Sequence, residues 1–481
     1  MKRLFLLLAV SSAASAVLAQ SLVFRTGLVE DYETYSKIPL KATLATRDYK
    51  ALPASYSLME YCPKPGSQGD HGTCTAWSTT YAARTIAEAV KWGWKDKAII
   101  TKEAFAPLST YAQIKNGTDK NCDSGINMYN ALQLLKTKGA PKLKSFNVDC
   151  AEFVPPVIRE EAKKYPIDDF SRLFGGFNDV ATNDKIYKVK KSLSQDCPVL
   201  ICMHLLESFT KATDVWEPKG EKFGYHAMCV IGYDDNKAGG AFQIMNSWGE
   251  YWGDRGFIWV KYSDFTKYVD FAFEMYVKKV RYPDNIDEKK DSKPTPVVVN
   301  TMNELKGSMY LKLTTGENIT QKLKTSDELP IYQAKGKYLS GTKFRLHISN
   351  NAPAYVYAIA SDLDNNVSKL FPTGNVNASL NYSYNNMVLP DEEDPNNIFW
   401  FDNNAGKDYF CVIYAAKELP IDEIIKQVKT ASGSFPKKLK SALSDKGLVK
   451  SSDIIFQKNE ISFETLTKGN VVPLILELSH Q

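Results

Sequence analysis

The sequence predicts an α+β protein with two folded domains. Helical patterns come first, between about residues 74 and 140, and patterns of antiparallel strands follow from about residue 198. A charged, proline-rich stretch then separates these elements from a second set of short strands. Because helices and strands occur in separate runs, an α+β arrangement is favoured over alternating α/β units. The length of 481 residues, 44% of them hydrophobic, is sufficient for two cores.

Residues 1–19 have the pattern of a secretory signal peptide. Two basic residues precede an apolar run from Leu4 to Val10, and small residues lead to a cleavage site after Ala19. The apolar run is too short to span a bilayer. We therefore expect an exported product, secreted or periplasmic, with no membrane span. Residues 20–50 are weakly patterned and are expected to form an N-terminal arm.

The charge balance argues against a polyanionic partner. Removal of the leader takes away two basic residues and no acid, so the formal net charge falls from +5 to +3. A charge this small, spread over two domains, predicts no nucleic-acid binding. A zinc site from Cys62, His71 and Cys74 would lack paired Cys-x-x-Cys spacing and a fourth ligand. We expect no metal and no cofactor.

The first domain is placed at residues 51–282. The stretch "CTAWSTTYAARTIAEAVKWG" predicts a helix of about four turns that begins at Cys74 and ends at Gly93, and "NMYNALQLLKTKGAP" predicts a second helix. Strands are predicted in "PVLICMHL", "YHAMCVIGYDD", "GAFQIMNSWG" and "GFIWVKYSDF". Gly239 and Gly240 mark a hairpin turn between two of these strands.

A linker at residues 283–300 and a mostly β domain at residues 301–481 are expected next. Short alternating strands bounded by Asn, Asp and Gly favour a β-sandwich. One helix, "IDEIIKQVKT", interrupts this pattern, whereas "FPKKLK" is interpreted as charged surface.

One cysteine stands in a setting that suits nucleophilic chemistry. Cys74 begins a predicted helix, where free N–H groups and the helix dipole stabilise a thiolate. His226 begins an apolar strand, and Asn246 ends the strand across the hairpin, so the two side chains should meet. We expect Asn246 to accept the Nδ1 proton of His226, which would fix the tautomer that faces the thiol. Gln68, in the loop before the helix, could donate to an oxyanion together with the Cys74 N–H.

Three motifs in order, "QGDHGTCTAWS", "YHAMCVIGY" and "IMNSWGEYWGDRGFIWVK", resemble those of the papain family of cysteine peptidases. The resemblance extends over about residues 51–280 and implies a two-lobed catalytic domain, with a helical lobe and an antiparallel β lobe. It assigns the following roles: Cys74 nucleophile, His226 base and later acid, Asn246 orienting residue, Gln68 oxyanion donor, and Trp248 a shield for the His–Asn hydrogen bond.

The resemblance also implies a substrate-binding cleft. Gly125 and Ser124 match the glycine segment that binds the substrate main chain as an added strand. Ala227 would line the pocket for the second residue before the scissile bond. Trp248 completes the set of expected substrate-binding residues.

The chain departs from the family pattern near the nucleophile. His71 stands where the family has a bridging cysteine, and Thr75 stands where it has an aromatic residue. Cys122 would then be free or paired with Cys150 or Cys62. The arm before the domain is shorter than the family's inhibitory prosegment, so control by that route is not expected.

The function that these residues favour is an exported cysteine peptidase acting on proteins or peptides through a thioester acyl-enzyme. Two alternatives stay open: a weak or inactive papain-like module that binds peptides, and an acyl transferase that uses the same thiol. The C-terminal domain is similar to a domain of unknown function in exported bacterial proteins. This similarity indicates a bacterial source and implies no particular chemistry. Separately, a surface or protein partner that binds through the C-terminal domain stays open.

Overall fold

The computed structural model describes residues 24–42, 52–176, 182–278, 305–325, 328–362, 366–381, 385–390, 397–467 and 469–481. The expected signal peptide and linker lie outside these ranges. Within them, no helix has the length and apolar character needed to cross a bilayer.

The helices and strands of the described residues follow one another in two groups. The α-helices are α1 (Tyr32–Lys37), α2 (Cys74–Ala76), α3 (Arg84–Trp92), α4 (Lys97–Lys102), α5 (Pro107–Ile114), α6 (Met128–Thr137), α7 (Pro156–Ala162), α8 (Thr182–Leu193), α9 (Tyr262–Tyr268), α10 (Ile421–Thr430) and α11 (Phe435–Ala442). The strands of the first group are β1 (Ser55–Ser57), β2 (Asp169–Phe174), β3 (Val199–Leu206), β4 (Lys222–Asp234), β5 (Ala241–Met245), β6 (Phe257–Lys261) and β7 (Val269–Tyr276). Those of the second are β8 (Lys306–Leu313), β9 (Gln321–Lys324), β10 (Ile331–Tyr338), β11 (Lys343–Asn350), β12 (Ala354–Ser361), β13 (Val367–Phe371), β14 (Ser379–Leu380), β15 (Asn385–Leu389), β16 (Phe399–Trp400), β17 (Gly406–Ala415), β18 (Ile454–Phe456), β19 (Ser462–Thr465) and β20 (Val471–His480).

A long helix dominates the helical lobe. It begins at Cys74 and ends at Gly93, as the sequence predicts, and Gly93 has the left-handed φ of 63° that commonly closes a helix. A π-helical stretch, Trp77–Ala83, separates α2 from α3. Such stretches occur often at functional sites, where they re-aim side chains within a helix.

The strands of the first group form one antiparallel sheet with the order β2-β7-β3-β4-β5-β6, and β1 pairs with β4. β4 lies inside the sheet, and its residues Tyr225 to Tyr233 are all buried. The predicted hairpin is confirmed, because β4 and β5 pair antiparallel with Cys229 opposite Met245. The sheet therefore holds His226 on a rigid central strand.

The helical lobe and this sheet share one apolar core. Ile86 from α3 and Leu132 from α6 belong to the same buried cluster as Phe271 and Ile201 of the sheet. This shared core fixes the start of the long helix against β4, which is where the chemistry-bearing residues lie.

The C-terminal β region contains two sheets that pack face to face, which confirms the mostly β prediction. Along β17, Phe410, Val412 and Tyr414 face the second sheet, whereas Cys411 and Ile413 belong to a separate cluster with the helices. This alternation is the period of two expected of a strand buried on both faces.

The prediction of a single helix in the C-terminal region was wrong. Residues interpreted as charged surface form α11, which packs on the outer face of the sheet beside α10. Pro436 occupies the first turn, where its missing N–H costs nothing, and Phe435 and Leu439 are buried. Lysines on the other side of the helix hid this apolar stripe in the sequence.

Candidate active site

Cys74 lies at the first residue of the long helix and is fully buried. Burial raises the pKa of its thiol to about 11, while nearby N–H groups of Ala227, Gly27 and Thr75 act in the opposite direction. The Ala227 N–H belongs to the residue directly after His226. The thiol is therefore in contact with β4 at the position of the expected base.

His226 and Asn246 form the predicted pair, but through the other ring nitrogen. Nε2 of His226 lies 2.8 Å from Oδ1 of Asn246, and the expectation of a bond at Nδ1 was wrong. Because β4 pairs Cys229 with Met245, Asn246 lies diagonally across from His226, and this longer separation favours the nitrogen farther from the main chain.

The tautomer of His226 follows from the partners of Asn246. Oδ1 of Asn246 also accepts the Ser247 N–H at 2.8 Å, so it is an acceptor for a proton on Nε2. Nδ1 of His226 is buried and has no hydrogen-bond partner among the described residues. Burial lowers the pKa of His226 to about 4, although the bond to Asn246 opposes this shift. A neutral imidazole with a vacant acceptor is the state required of a general base.

Trp248 packs against the imidazole. The centroids of the His226 and Trp248 rings are 4.9 Å apart, and Trp252 supports the indole at 5.2 Å. Trp248 is 5% exposed, so it excludes water from this side of the histidine.

Gln68 is held by three hydrogen bonds in the loop before the helix. Its main-chain N–H donates to the Ser247 carbonyl at 2.8 Å, and its Oε1 accepts from Ser247 Oγ at 2.6 Å. Its Nε2 donates to the carbonyl of His71 at 2.7 Å. The second N–H of this amide points into the cleft, where it meets the arm described below.

Comparison with known proteins finds matches to two parts of the chain. Residues 60–274 match a sequence model described as "Papain family cysteine protease". Residues 60–274 are papain-like. Residues 337–418 match a domain of unknown function called DUF4384.

Individual proteins are similar to part of the chain. The chain is 28% identical over 215 residues to an uncharacterized peptidase C1-like protein, L477, of Acanthamoeba polyphaga mimivirus, covering 40% of this chain and 63% of that protein. It is 25% identical over 222 residues to cysteine protease XCP2 of Arabidopsis thaliana, covering 46% and 58%. The chain thus spans about three fifths of the length of these two relatives. Xylellain, a cysteine protease from Xylella fastidiosa, has a crystal structure that covers 54% of this chain and 100% of its own at 19% identity, with a TM-score of 0.44.

The expected substrate-binding residues lie around the papain-like cleft. Gly125 is buried with a φ of 74°, and its N–H donates to the hydroxyl of Tyr111 at 3.1 Å. Ser124 is exposed. Ala227 is buried and pairs with Cys202 on β3.

The papain-like cleft is occupied by the N-terminal arm, a feature that the sequence did not reveal. The carbonyl of Arg25 accepts hydrogen bonds from Gln68 Nε2 at 3.2 Å and from Trp248 Nε1 at 3.0 Å, and Phe24 packs on the Trp248 ring at 4.7 Å. The Ile126 N–H donates to the carbonyl of Gly27 at 3.2 Å. The arm thus covers the donor expected to bind the oxyanion and the glycine segment expected to bind substrate.

A short arm is long enough to cover the cleft because the segment that crosses it is extended. Residues 24–30 span about 20 Å when extended, at roughly 3.3 Å per residue. Leu28 pairs with Ile126 in a parallel bridge, and main-chain atoms make most of these contacts. Main-chain contacts place few constraints on which side chains the arm carries. Position 27 is an exception, because the close approach of Gly72 requires a glycine there.

The missing family disulfide is replaced by two other links. Cys122 is disulfide-bonded to Cys150, which decides between the pairings that the sequence left open. His71 bridges the same segments, with Nδ1 2.9 Å from the carbonyl of Asn121 and Nε2 3.1 Å from Oδ1 of Asp149. The nucleophile loop is therefore tied to the glycine segment without a cysteine at position 71.

Thr75 has a structural contact in place of the family's aromatic residue. Its hydroxyl is buried and donates to the carbonyl of Ile126 at 3.2 Å, which also ties the helix start to the glycine segment.

The alternative of a zinc site finds no support in this neighbourhood: within the described ranges, no group of three or more His, Cys, Asp or Glu side chains could hold a metal ion.

Proposed function

We propose that residues 51–282 are a cysteine peptidase that hydrolyses proteins or peptides through a thioester acyl-enzyme. The observation that carries the proposal is the hydrogen bond between His226 Nε2 and Asn246 Oδ1, which leaves Nδ1 of His226 as a vacant acceptor; the main chain of the next residue, Ala227, lies near the buried Cys74 thiol. The papain-like match over residues 60–274 supports a cysteine peptidase.

In the proposed reaction the Cys74 sulfur attacks the scissile carbonyl carbon and its proton passes to Nδ1 of His226. The oxyanion is held by Gln68 Nε2 and the Cys74 N–H. The imidazolium then protonates the leaving amine, which gives a thioester, and neutral His226 activates a water that hydrolyses it.

Under the proposal, the closed position of the arm corresponds to a latent state of the enzyme. The arm covers the cleft, and burial holds the pKa of Cys74 near 11 and that of His226 near 4. Burial thus favours the neutral forms of both groups, which disfavours the thiolate that attacks a carbonyl. Release of residues 24–30 would admit both substrate and water.

Active-site labelling tests the peptidase proposal. An epoxysuccinyl inhibitor should label Cys74 once the arm is displaced, and a Cys74→Ala variant should not be labelled. His226→Ala should remove most turnover, and Asn246→Ala should cost less because the amide orients the ring without reacting. If neither the full-length chain nor a Gly27→Ala variant, in which the arm is displaced, labels or cleaves an unfolded protein under reducing conditions, the peptidase proposal fails and a peptide-binding module remains. Product analysis with an added amine separates hydrolysis from acyl transfer.

We also propose that the protein is exported, from a bacterial source. The support is the basic, apolar and small-residue pattern of residues 1–19. The test is N-terminal sequencing of the mature protein from the periplasm or medium, where cleavage after Ala19 is the expected result.

A further inference from the structure

Residues 36–42 of the arm lie between two parts of the chain. After crossing the cleft, the arm forms α1 and then runs beside β2, which is the outer strand of the papain-like sheet. Its other side faces residues 375–377 of the C-terminal β region. Leu40 makes parallel bridges to Arg172 on one side and to Val376 on the other.

The contacts with the papain-like sheet use alternate main-chain groups. The Arg172 N–H donates to the Pro39 carbonyl at 2.9 Å, and the Lys41 N–H donates to the Arg172 carbonyl at 2.8 Å. The Arg172 guanidinium also donates to the carbonyls of Ile38 at 3.1 Å and Ser36 at 2.9 Å. The arm thus pairs with the edge strand β2 at one parallel bridge.

The contacts with the C-terminal region use the main-chain groups of Leu40 and share the carbonyls of Ser36 and Ile38 with Arg172. The Leu40 N–H donates to the Asn375 carbonyl at 2.7 Å, and the Asn377 N–H donates to the Leu40 carbonyl at 2.7 Å. Asn375 Nδ2 lies 2.9 Å from the Ser36 carbonyl and 3.3 Å from that of Ile38, and it donates to both. One asparagine therefore binds the backbone of the arm through its carbonyl and its side chain.

The arm also enters the core of the C-terminal region. Ala42 is 5% exposed and lies in the same apolar cluster as Phe371 and Leu380. A direct contact between the two regions exists beside the arm, because Asn377 Nδ2 donates to Ser171 Oγ at 2.9 Å and to Asp169 Oδ2 at 3.2 Å. The arm is thus a shared element of both regions.

We propose that the C-terminal β region is a peptide-binding module whose ligand is residues 36–42 of this chain, bound by main-chain hydrogen bonds to the loop residues 375–377. In this mode, main-chain hydrogen bonds provide the affinity. The contacts of the Asn375 amide and the burial of Ala42 fix the position at which residues 36–42 bind. By holding residues 36–42, the region keeps residues 24–30 in the cleft; this consequence rests on the function proposed above.

Hydrogen exchange of the full-length chain tests the binding role. The measurement uses the Cys74→Ala background, so that its result does not depend on peptidase activity. Asn375→Ala removes two side-chain donors to the arm and should speed exchange in peptides covering residues 24–30 and 36–42 by about tenfold. Asn375→Asp keeps the size of the side chain but lacks the donors, and should act in the same way.

Asn377→Ala is the matched control. It removes side-chain bonds to the papain-like sheet but keeps the main-chain N–H that donates to Leu40, so arm exchange should stay within about twofold of the parent. Unchanged exchange in β17 shows that each variant is folded.

Two results would overturn the proposal: arm exchange unchanged in both Asn375 variants, or an equal acceleration in Asn377→Ala. An inactive wild-type enzyme would refute the proposed function and leave this binding role standing.

Discussion

Replacing Gly27 by alanine is expected to open the cleft. A Cβ atom at position 27 would lie 1.9 Å from the carbonyl oxygen of Gly72 and 2.1 Å from its carbonyl carbon. Both are main-chain atoms in a loop fixed by the Gly72 N–H bond to the Cys122 carbonyl at 2.8 Å, so no flexible side chain can yield. The arm must therefore move away from Gly72.

The free-energy cost of the Gly27→Ala change can be bounded from the hydrogen bonds that the arm would lose. Overpacking of this kind costs about 1–3 kcal/mol. The upper bound is the loss of the bonds at Arg25 and Gly27 and of the 3.5 Å bond from the Val29 N–H to Ile126, four bonds of ~1 kcal/mol each. A shift of 1–3 kcal/mol raises the population with an open cleft by roughly 5- to 150-fold.

The assay is the second-order rate of Cys74 alkylation by iodoacetamide at neutral pH, with mass mapping of the modified peptide. Gly117→Ala is the matched control, because a Cβ there meets no atom within 4 Å. Gly27→Ala should be alkylated roughly 5- to 150-fold faster than the wild type and the control. Equal rates in all three proteins would refute the conclusion that the arm closes the cleft.

Three further outcomes are expected. Burial lowers the pKa of His226 to about 4 from an ordinary value near 6.5, so the folded state excludes a proton that the unfolded chain binds. Stability from this group is complete above about pH 6.5 and is lost as the pH falls towards 4; urea unfolding should show a decrease of ~2 kcal/mol from pH 6.5 to 5 that His226→Gln lacks. Cys150→Ser opens a crosslink between residues 28 apart and should lower the urea-unfolding free energy by at most ~3.5 kcal/mol, and an unchanged value would show that the crosslink does not constrain the unfolded chain. His71→Ala should cost ~1 kcal/mol in the same assay, whereas no loss would mean that its bonds to Asn121 and Asp149 are offset by water.

The meeting of His226 and Asn246 could be predicted because it depends on short-range rules. A strand, a glycine hairpin and a second strand place two positions on adjacent strands, and the structure has this pairing. The choice of ring nitrogen could not be predicted, since it depends on whether the partners lie opposite or diagonal. That register is set by a shift in the β4–β5 pairing between Val230 and Gly232.

The disulfide pairing and the position of the arm could not be predicted from the sequence, for different reasons. Spacing alone cannot assign disulfide partners among several cysteines, so the sequence allows either Cys150 or Cys62 as the partner of Cys122. The arm binds through carbonyl and N–H groups that every residue carries, and thus residues 24–30 show no distinctive pattern. In α11, the exposed lysines Lys437 and Lys440 obscured the apolar pair Phe435 and Leu439 in the sequence.

Because the arm is part of the same chain, its occupancy of the cleft is independent of protein concentration. A separate inhibitor would dissociate on dilution, but a tethered segment meets its site at an effective concentration in the millimolar range set by the tether. Two attachments, at residues 24–30 in the cleft and at residues 36–42 between the two regions, raise this local concentration further. Dilution alone therefore leaves the cleft closed, whereas a cut in the chain or a competing peptide would open it.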